Sequence, residues 1–313
     1  MTLNQLEYAL YLQKYGNFKK AAERLGISQP ALSIQIQKLE EEIQIALFNR
    51  TTSPITATKD GVAFLSKSQE IISGVKQLRS FSQELKGDFN GRLVIGIIPT
   101  LAPFLVPLFI DALQKDYPGI QLVIKEQITE RILENIRHGE LDVGLISTPV
   151  RVHGIEAIPL FYERFYVYAS GNEVSKNELR IDEIDQEKLW LLDEGNCFRD
   201  QVSDFCNLSR IREGKDFVYQ SNSIDALIRI VDTKGGMTIL PELTSLSLNE
   251  NQEENLKVIS GKPRAREIGM VVTPKHDKDR YIRVLGDYIR QNIPHHMLEK
   301  NNYIVVDPHI QVK

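Results

Sequence analysis

The chemistry-bearing residues of this chain converge on one short segment. Its only two cysteines, Cys197 and Cys206, both fall within residues 193–206. The apolar residues Phe198, Val202, Phe205 and Cys206 recur at the spacing of a helix that buries one face. If that helix forms, nine residues at about 1.5 Å each hold the two Cα atoms roughly 13 Å apart. A disulfide tolerates no more than about 7 Å. Helix and crosslink therefore exclude each other, and joining the two sulfurs would force the segment to refold. Cys197 follows Gly195-Asn196 at the expected helix start, where unpaired N–H groups and the helix dipole favour a thiolate, and Arg199 adds positive charge. Cys206 falls on the apolar face, where a thiol is sheltered. The plain alternative is that both cysteines are core filler, the commonest duty of an unbonded cysteine.

The elements that position this segment belong to a chain of 313 residues, long enough for two or three domains with real cores. With 42% hydrophobic and 26% charged residues it has the composition of an ordinary soluble protein. It shows no 18-residue apolar run and no leader with a cleavage site, so a cytoplasmic protein with no membrane partner is expected. In that compartment paired cysteines point to redox chemistry more than to a structural staple. The pattern calls for no metal and no cofactor. The net charge of −4 hides an asymmetry: residues 1–87 hold eleven Lys and Arg against eight Asp and Glu, which makes them +3 and leaves −7 for the rest. A modestly basic end on an acidic body permits a DNA-contacting head.

The front reads as a winged helix-turn-helix over residues 1–60. Leu6, Ala9, Leu10 and Leu12 set a first helix, and Asn17 caps a second whose inner face is Phe18, Ala21, Ala22 and Leu25. After Gly26-Ile27, Ser28 caps a third helix, Pro30 suits its first turn, and Leu32, Ile36, Leu39 and Ile43 form its buried stripe. That stripe turns Gln29, Pro30, Ser33, Ile34, Gln37 and Lys38 outward, a set suited to a major groove: Gln to adenine, Ser to bases or phosphate, Lys to phosphate or guanine. Residues 49–58 read as a β-hairpin wing that carries Arg50 toward backbone phosphate. From 61 to 87 a long linker helix is expected, with the apolar set 64, 71, 75, 78 and 85 as a pairing seam for a homodimer. Two heads would then meet a two-fold-related site in double-stranded DNA.

The remainder, residues 88–300, alternates strand and helix. Strands at 93–98, 121–125 and 141–146, with helices at 101–117 and 129–138, give a mostly parallel α/β sheet. A second lobe, about 163–266, takes in residues 190–192, the cysteine segment, 217–219, 224–231 and 237–240, after which the chain returns by 268–272 and 281–289, so that two crossings form a hinge. The tail, 301–313, carries no legible motif.

Residues 1–60 resemble the DNA-binding domain of LysR-type transcriptional regulators. The match runs over Ala21-Ala22-Glu23-Arg24-Leu25-Gly26-Ile27-Ser28-Gln29-Pro30-Ala31-Leu32-Ser33 and from Leu39-Glu40-Glu41-Glu42 to Leu47-Phe48-Asn49-Arg50. The resemblance implies an α/β protein with a winged helix-turn-helix, a linker helix and a two-lobed regulatory domain of the periplasmic-binding-protein type. One departure is Ile34, where such regulators often carry Arg. The segment 195–201, with Cys206 beyond it, resembles the hydrogen-peroxide-sensing branch of the family over most of residues 1–295. That implies peroxide attack by Cys197, capture by Cys206 as an intramolecular disulfide, and activation of antioxidant genes, with a tetramer and RNA polymerase as partners. It also implies that Thr100, Thr129, Asn196, Arg199 and Arg266 surround the reacting sulfur. Asn196 departs from that branch, which often has His there. The rival is a LysR-type regulator that binds a small anionic metabolite in the interlobe cleft, near residues 96–100. A two-cysteine peroxidase is a further rival, but an attached DNA-reading head argues against it, and no enzyme is expected.

Overall fold

Three helices and a short hairpin form the N-terminal end of the chain. In this computed structural model, residues 1–85, 90–170, 176–193, 196–206, 221–274, 278–300 and 303–310 are described. They fall into two units, Met1–Asp88 with Lys275–Lys278, and Phe89–Pro274 with Asp279–Lys313.

In the first unit, α1 (Leu3–Tyr15), α2 (Phe18–Leu25) and α3 (Gln29–Ile43) begin on side-chain caps: Thr2, Asn17 and Ser28 each accept a backbone N–H three residues on. Each cap satisfies a donor that the first turn leaves unpaired. Leu6, Leu12, Leu32, Ile36 and Leu39 close the core between them. Strands β1 (Phe48–Asn49) and β2 (Thr56–Ala57) pair antiparallel as the wing. The wing leans on the α1–α2 turn at Gly16, whose φ is 56° and where an added Cβ would lie 2.9 Å from Pro54 Cβ. Only glycine combines that left-handed backbone with so close an approach. Helix α4 (Lys59–Leu85) sends Leu65 and Ile72 into the same core, while Val62, Ile71 and Leu78 are exposed.

The second unit starts with β3 (Gly91–Ile97), α5 (Ala102–Asp116), β4 (Ile120–Glu126), α6 (Thr129–Arg137) and β5 (Val143–Thr148). Strand β3 lies parallel to both β4 and β5, so this stretch has the crossover order expected for strands that alternate with helices. The chain continues through β6 (Glu156–Ala169), β7 (Glu178–Leu179), β8 (Leu189–Trp190) and α7 (Cys197–Phe205). It then forms α8 (Ile224–Lys234), β9 (Met237–Pro241), α9 (Glu242–Ser245), α10 (Glu250–Glu253), β10 (Leu256–Ile259), β11 (Arg264–Val272), α11 (Asp279–Gln291) and β12 (Ile304–Val305). Residues 217–219, expected in the second lobe, lie outside the described residues.

Mixed pairing joins the two halves of this unit. Strand β6 runs antiparallel to β11 over Glu156–Arg164 and to β9 over Phe165–Ala169, so one continuous strand serves both halves. Strand β11 runs from β5 on one side to β6 on the other and carries β12 at its start. The tail that showed no motif thus contributes a strand. Among the described residues no helix is long and apolar enough to cross a membrane.

Candidate functional site: a buried thiol at the head of a helix

Helix α7 spans Cys197–Phe205, with Asn196 as N-cap and Cys206 closing the last turn. The periodicity read at 198, 202, 205 and 206 is the face that packs: Phe198 and Phe205 lie 5.6 and 5.1 Å from the Phe165 ring. Both cysteines are buried and unbonded to each other. Asn196 Oδ1 accepts the Phe198 N–H at 3.0 Å, and its amide donates to Asn222 Oδ1 at 3.2 Å. In place of an imidazole, this position holds a helix cap.

Opposing influences act on the Cys197 thiol. Burial pushes the Cys197 thiol up from its ordinary value. The Thr129 hydroxyl, the Arg266 charge and the Phe198 N–H all pull the other way and are outweighed, and Asp200 adds to the rise. Desolvation of this buried sulfur is the largest influence. Cys206 is sheltered, as its place on the apolar face implies, and burial pushes its thiol up to about 12.

Thr129, the first residue of α6, donates its hydroxyl to Cys197 Sγ at 3.5 Å. Arg266 on β11 donates from Nη1 to Thr100 Oγ1 at 2.8 Å and from Nη2 to the Thr100 carbonyl at 3.2 Å. Its Nε donates to Glu163 Oε2 at 2.7 Å, both side chains being 0% exposed. The guanidinium carbon lies 5.1 Å from the centre of the Phe198 ring. The structure thus brings Thr100, Thr129, Asn196, Cys197 and Arg266 into one buried neighbourhood, just past β3, at the starts of α6 and α7, and on β11. Arg199 is held differently: its Nη1 donates to the Leu192 carbonyl at 3.1 Å, and the cation that acts on the sulfur is Arg266.

Two residues of this neighbourhood went unread in the sequence. Glu163 fixes Arg266 and also accepts the Leu243 N–H at 3.1 Å. Its signal was a carboxylate that, with Arg164, interrupts the apolar and aromatic run 160–169. Gln201 is completely buried one turn after Cys197 and donates to the Val306 carbonyl at 2.7 Å. Its place on the apolar stripe, four residues from Cys197, was the available sign.

In the first unit, Ser28, Gln29, Pro30, Ile34, Gln37 and Lys38 are exposed on α3, and Ser33 is half-buried. Asn17 accepts the Lys20 N–H at 3.0 Å as a cap. Arg50, expected to reach for phosphate, donates to Glu40 Oε2 at 2.7 Å, while Glu40 Oε1 takes the Leu47 and Phe48 N–H groups. Glu40 therefore bolts the wing to α3, with Arg50 as part of the joint. Among the described residues no cluster of His, Cys, Asp and Glu could hold a metal ion.

A capped reading helix with a wing, joined to an α/β domain, defines a class of DNA-binding regulator. Residues 3–62 match the bacterial regulatory helix-turn-helix proteins of the lysR family, and residues 86–294 match the LysR substrate binding domain. The chain belongs to the LysR family of transcriptional regulators. It is 30% identical to the hydrogen peroxide-inducible genes activator of Haemophilus influenzae, over 91% of this chain and 95% of that one. It is 29% identical to the DNA-binding transcriptional dual regulator OxyR of Escherichia coli, over 95% of this chain and 97% of that protein. Among solved structures it is similar to a full-length OxyR variant from Pseudomonas aeruginosa, with a TM-score of 0.78 and 28% identity over 96% of this chain and 98% of that one. It is also similar to a cysteine mutant of OxyR from Corynebacterium glutamicum bound to hydrogen peroxide, with a TM-score of 0.59 and 25% identity over 93% of this chain and 92% of that one.

Proposed function

We propose that this chain is a peroxide-responsive activator of the LysR family, in which oxidation of Cys197 and its capture by Cys206 rebuild residues 197–206 and change how paired heads engage DNA. The observation that carries the reading is the Thr129 hydroxyl on Cys197 Sγ, beside the fixed Arg266, at the head of a helix whose far end is the second cysteine. The names borne by its relatives support it.

In this reading the Cys197 thiolate attacks one peroxide oxygen, the O–O bond breaks, and the departing hydroxide takes a proton to leave as water. Sulfur is oxidised to a sulfenic acid, which condenses readily with a nearby thiol. Cys206 then attacks that sulfur, the S–O bond breaks, and a second water leaves with the remaining proton. Two thiols and one peroxide become one disulfide and two waters. The Thr129 and Thr100 hydroxyls hold peroxide, while Arg266, braced by Glu163, favours both the thiolate and the departing oxygen. Asn196 anchors the start of α7, and Arg199 ties it to the preceding segment through Leu192. The reaction serves as a trigger, once per activation, and not as turnover.

On the DNA side, Gln29, Pro30, Ser33, Gln37 and Lys38 face the major groove. Asn17 and Ser28 fix the ends that meet backbone phosphate, and Arg50 approaches phosphate from the wing. The exposed Ile71 and Leu78 on α4 support pairing of two chains through that helix. A cytoplasmic tetramer that contacts RNA polymerase completes the proposal.

The test is a DNA footprint with and without micromolar peroxide, alongside mass spectrometry of the cysteine peptides. The intact protein should change its footprint and gain a Cys197–Cys206 link, and Cys197→Ser should do neither. A peroxide response that survives in Cys197→Ser overturns the reading.

A further inference from the structure

The tail that carries no motif in the sequence lies across the redox helix. Residues 304 and 305 pair parallel with Arg264 and Ala265 at the start of β11, just before Arg266. The Ile304 N–H donates to the Pro263 carbonyl and the Val306 N–H to the Ala265 carbonyl, both at 2.9 Å. The opposite side of Val306 faces α7, because its carbonyl takes the Gln201 amide at 2.7 Å. Gln201 is fully enclosed, and its own carbonyl accepts the Ser147 hydroxyl at 3.3 Å. Val306 and Pro308 are buried, Ile310 packs against the core, and Tyr303 stacks on Tyr162 with centroids 6.3 Å apart. His309 Nε2 lies 3.7 Å from Asp204 on the outer side of α7, an exposed pair that adds little.

We propose that residues 303–310 are a clasp on the redox switch: the Val306 carbonyl holds Gln201, and with it the coiled dithiol form of α7, so that this strap sets how much oxidant throws the switch. The inference rests on the reading that Cys197 and Cys206 become bonded. Gln201 sits between the two cysteines, so the unwinding that lets them meet also pulls its amide from the strap. A buried amide that loses its partner keeps the cost of its desolvation. The bonds between strap and helix therefore belong to the dithiol state alone, and an interaction made in one of two states shifts the equilibrium by its full differential worth. Gln201 is a positioning residue in this scheme, acting on the geometry of the helix and not on peroxide.

The experiment compares the full chain with a version ending at Asn302 and with Gln201→Met, which keeps the side-chain volume and removes the bond. In a thiol–disulfide buffer both changes should favour the disulfide about tenfold, a fall of ~30 mV in the midpoint. Hydrogen exchange of the 198–206 amides in the dithiol form should quicken about tenfold, while β3 and β5 keep their protection. Combining the two changes should add nothing beyond the truncation. Equal loss of thermal stability in both redox forms, with an unmoved midpoint, is the signature of plain structural packing and overturns the proposal. So does unaltered exchange in α7. If the intact protein never forms the disulfide, the switch reading falls by itself, and the exchange measurement still decides whether the strap holds the helix.

Discussion

Helices α3 and α7 begin alike and diverge after the first turn. Each starts on a polar cap, Ser28 or Asn196, and each presents an apolar stripe. Helix α3 has 15 residues, a stripe of wholly buried aliphatic side chains, and polar groups that face outward. Helix α7 has nine residues; Asp200 and Asp204 are exposed, but Gln201, Cys197 and the cap Asn196 face inward, where they depend on partners supplied by other elements. A helix held by aliphatic burial keeps its shape under chemical change, which suits a surface that must read DNA. A short helix held in part by buried side-chain bonds depends on partners staying in place, which suits the refolding proposed for this segment.

The comparison makes its strongest demand at Arg266. Arg266→Met strands the Glu163 carboxylate in a sealed site and should cost about 3–5 kcal/mol in denaturant unfolding. Adding Glu163→Gln should recover much of that. Gln37→Ala on the open face of α3 should leave stability within about 0.5 kcal/mol. Comparable losses at the two sites would erase the distinction between an inward-facing and an outward-facing polar set.

The caps sharpen it further. Ser28→Ala and Asn196→Ala should each cost about 1 kcal/mol. Only Asn196→Ala should move the dithiol–disulfide balance toward the disulfide, because the proposed refolding dismantles α7 and leaves α3 intact. A matching shift from Ser28→Ala would mean that the heads sense the redox state through their own stability.

Smaller still is the effect on the thiol. The thiolate is the nucleophile, and burial has moved the Cys197 equilibrium toward the neutral thiol. Its alkylation rate should therefore climb with pH through neutrality and keep climbing past the ordinary thiol range of about 8.5. Thr129→Val removes a donor that favours the charged form, so it should displace this profile to higher pH and slow the reaction several-fold at pH 7. A profile that levels off below pH 7 would show an activated sulfur and contradict the buried site. Smallest of all, Lys38→Ala should reduce the salt slope of DNA binding by about one unit without altering the response to peroxide.

Much of this contrast was legible in the residues. The 3.6-residue rhythm and the caps placed α1, α2, α3 and α7, and alternating strand and helix runs placed β3 to β5. Local pattern suffices where each element buries its own apolar face. What stayed illegible depends on distant partners. Cys197 at a helix start reads as activated, yet the pull of Thr129 and Arg266 is outweighed by the enclosure around the sulfur, which no local spacing records. Arg50 reads as a phosphate ligand, and its bond to Glu40, ten residues earlier, is not recorded by the local pattern. The strap at 303–310 has neither caps nor a regular rhythm, because its strand borrows its order from β11 and its burial from α7.

The continuity of β6 carries a consequence for how a signal could travel. Residues 156–164 of that strand are knitted to β11, with one register shift at Leu160, and residues 165–169 follow directly on to β9. A bivalve whose shells share an unbroken rib cannot gape widely without tearing stitches on both sides. In the proposed switch, the message of an oxidised sulfur is therefore better written as a local change of relief around α7 than as a wide opening, and a neighbouring chain that reads it would touch that spot.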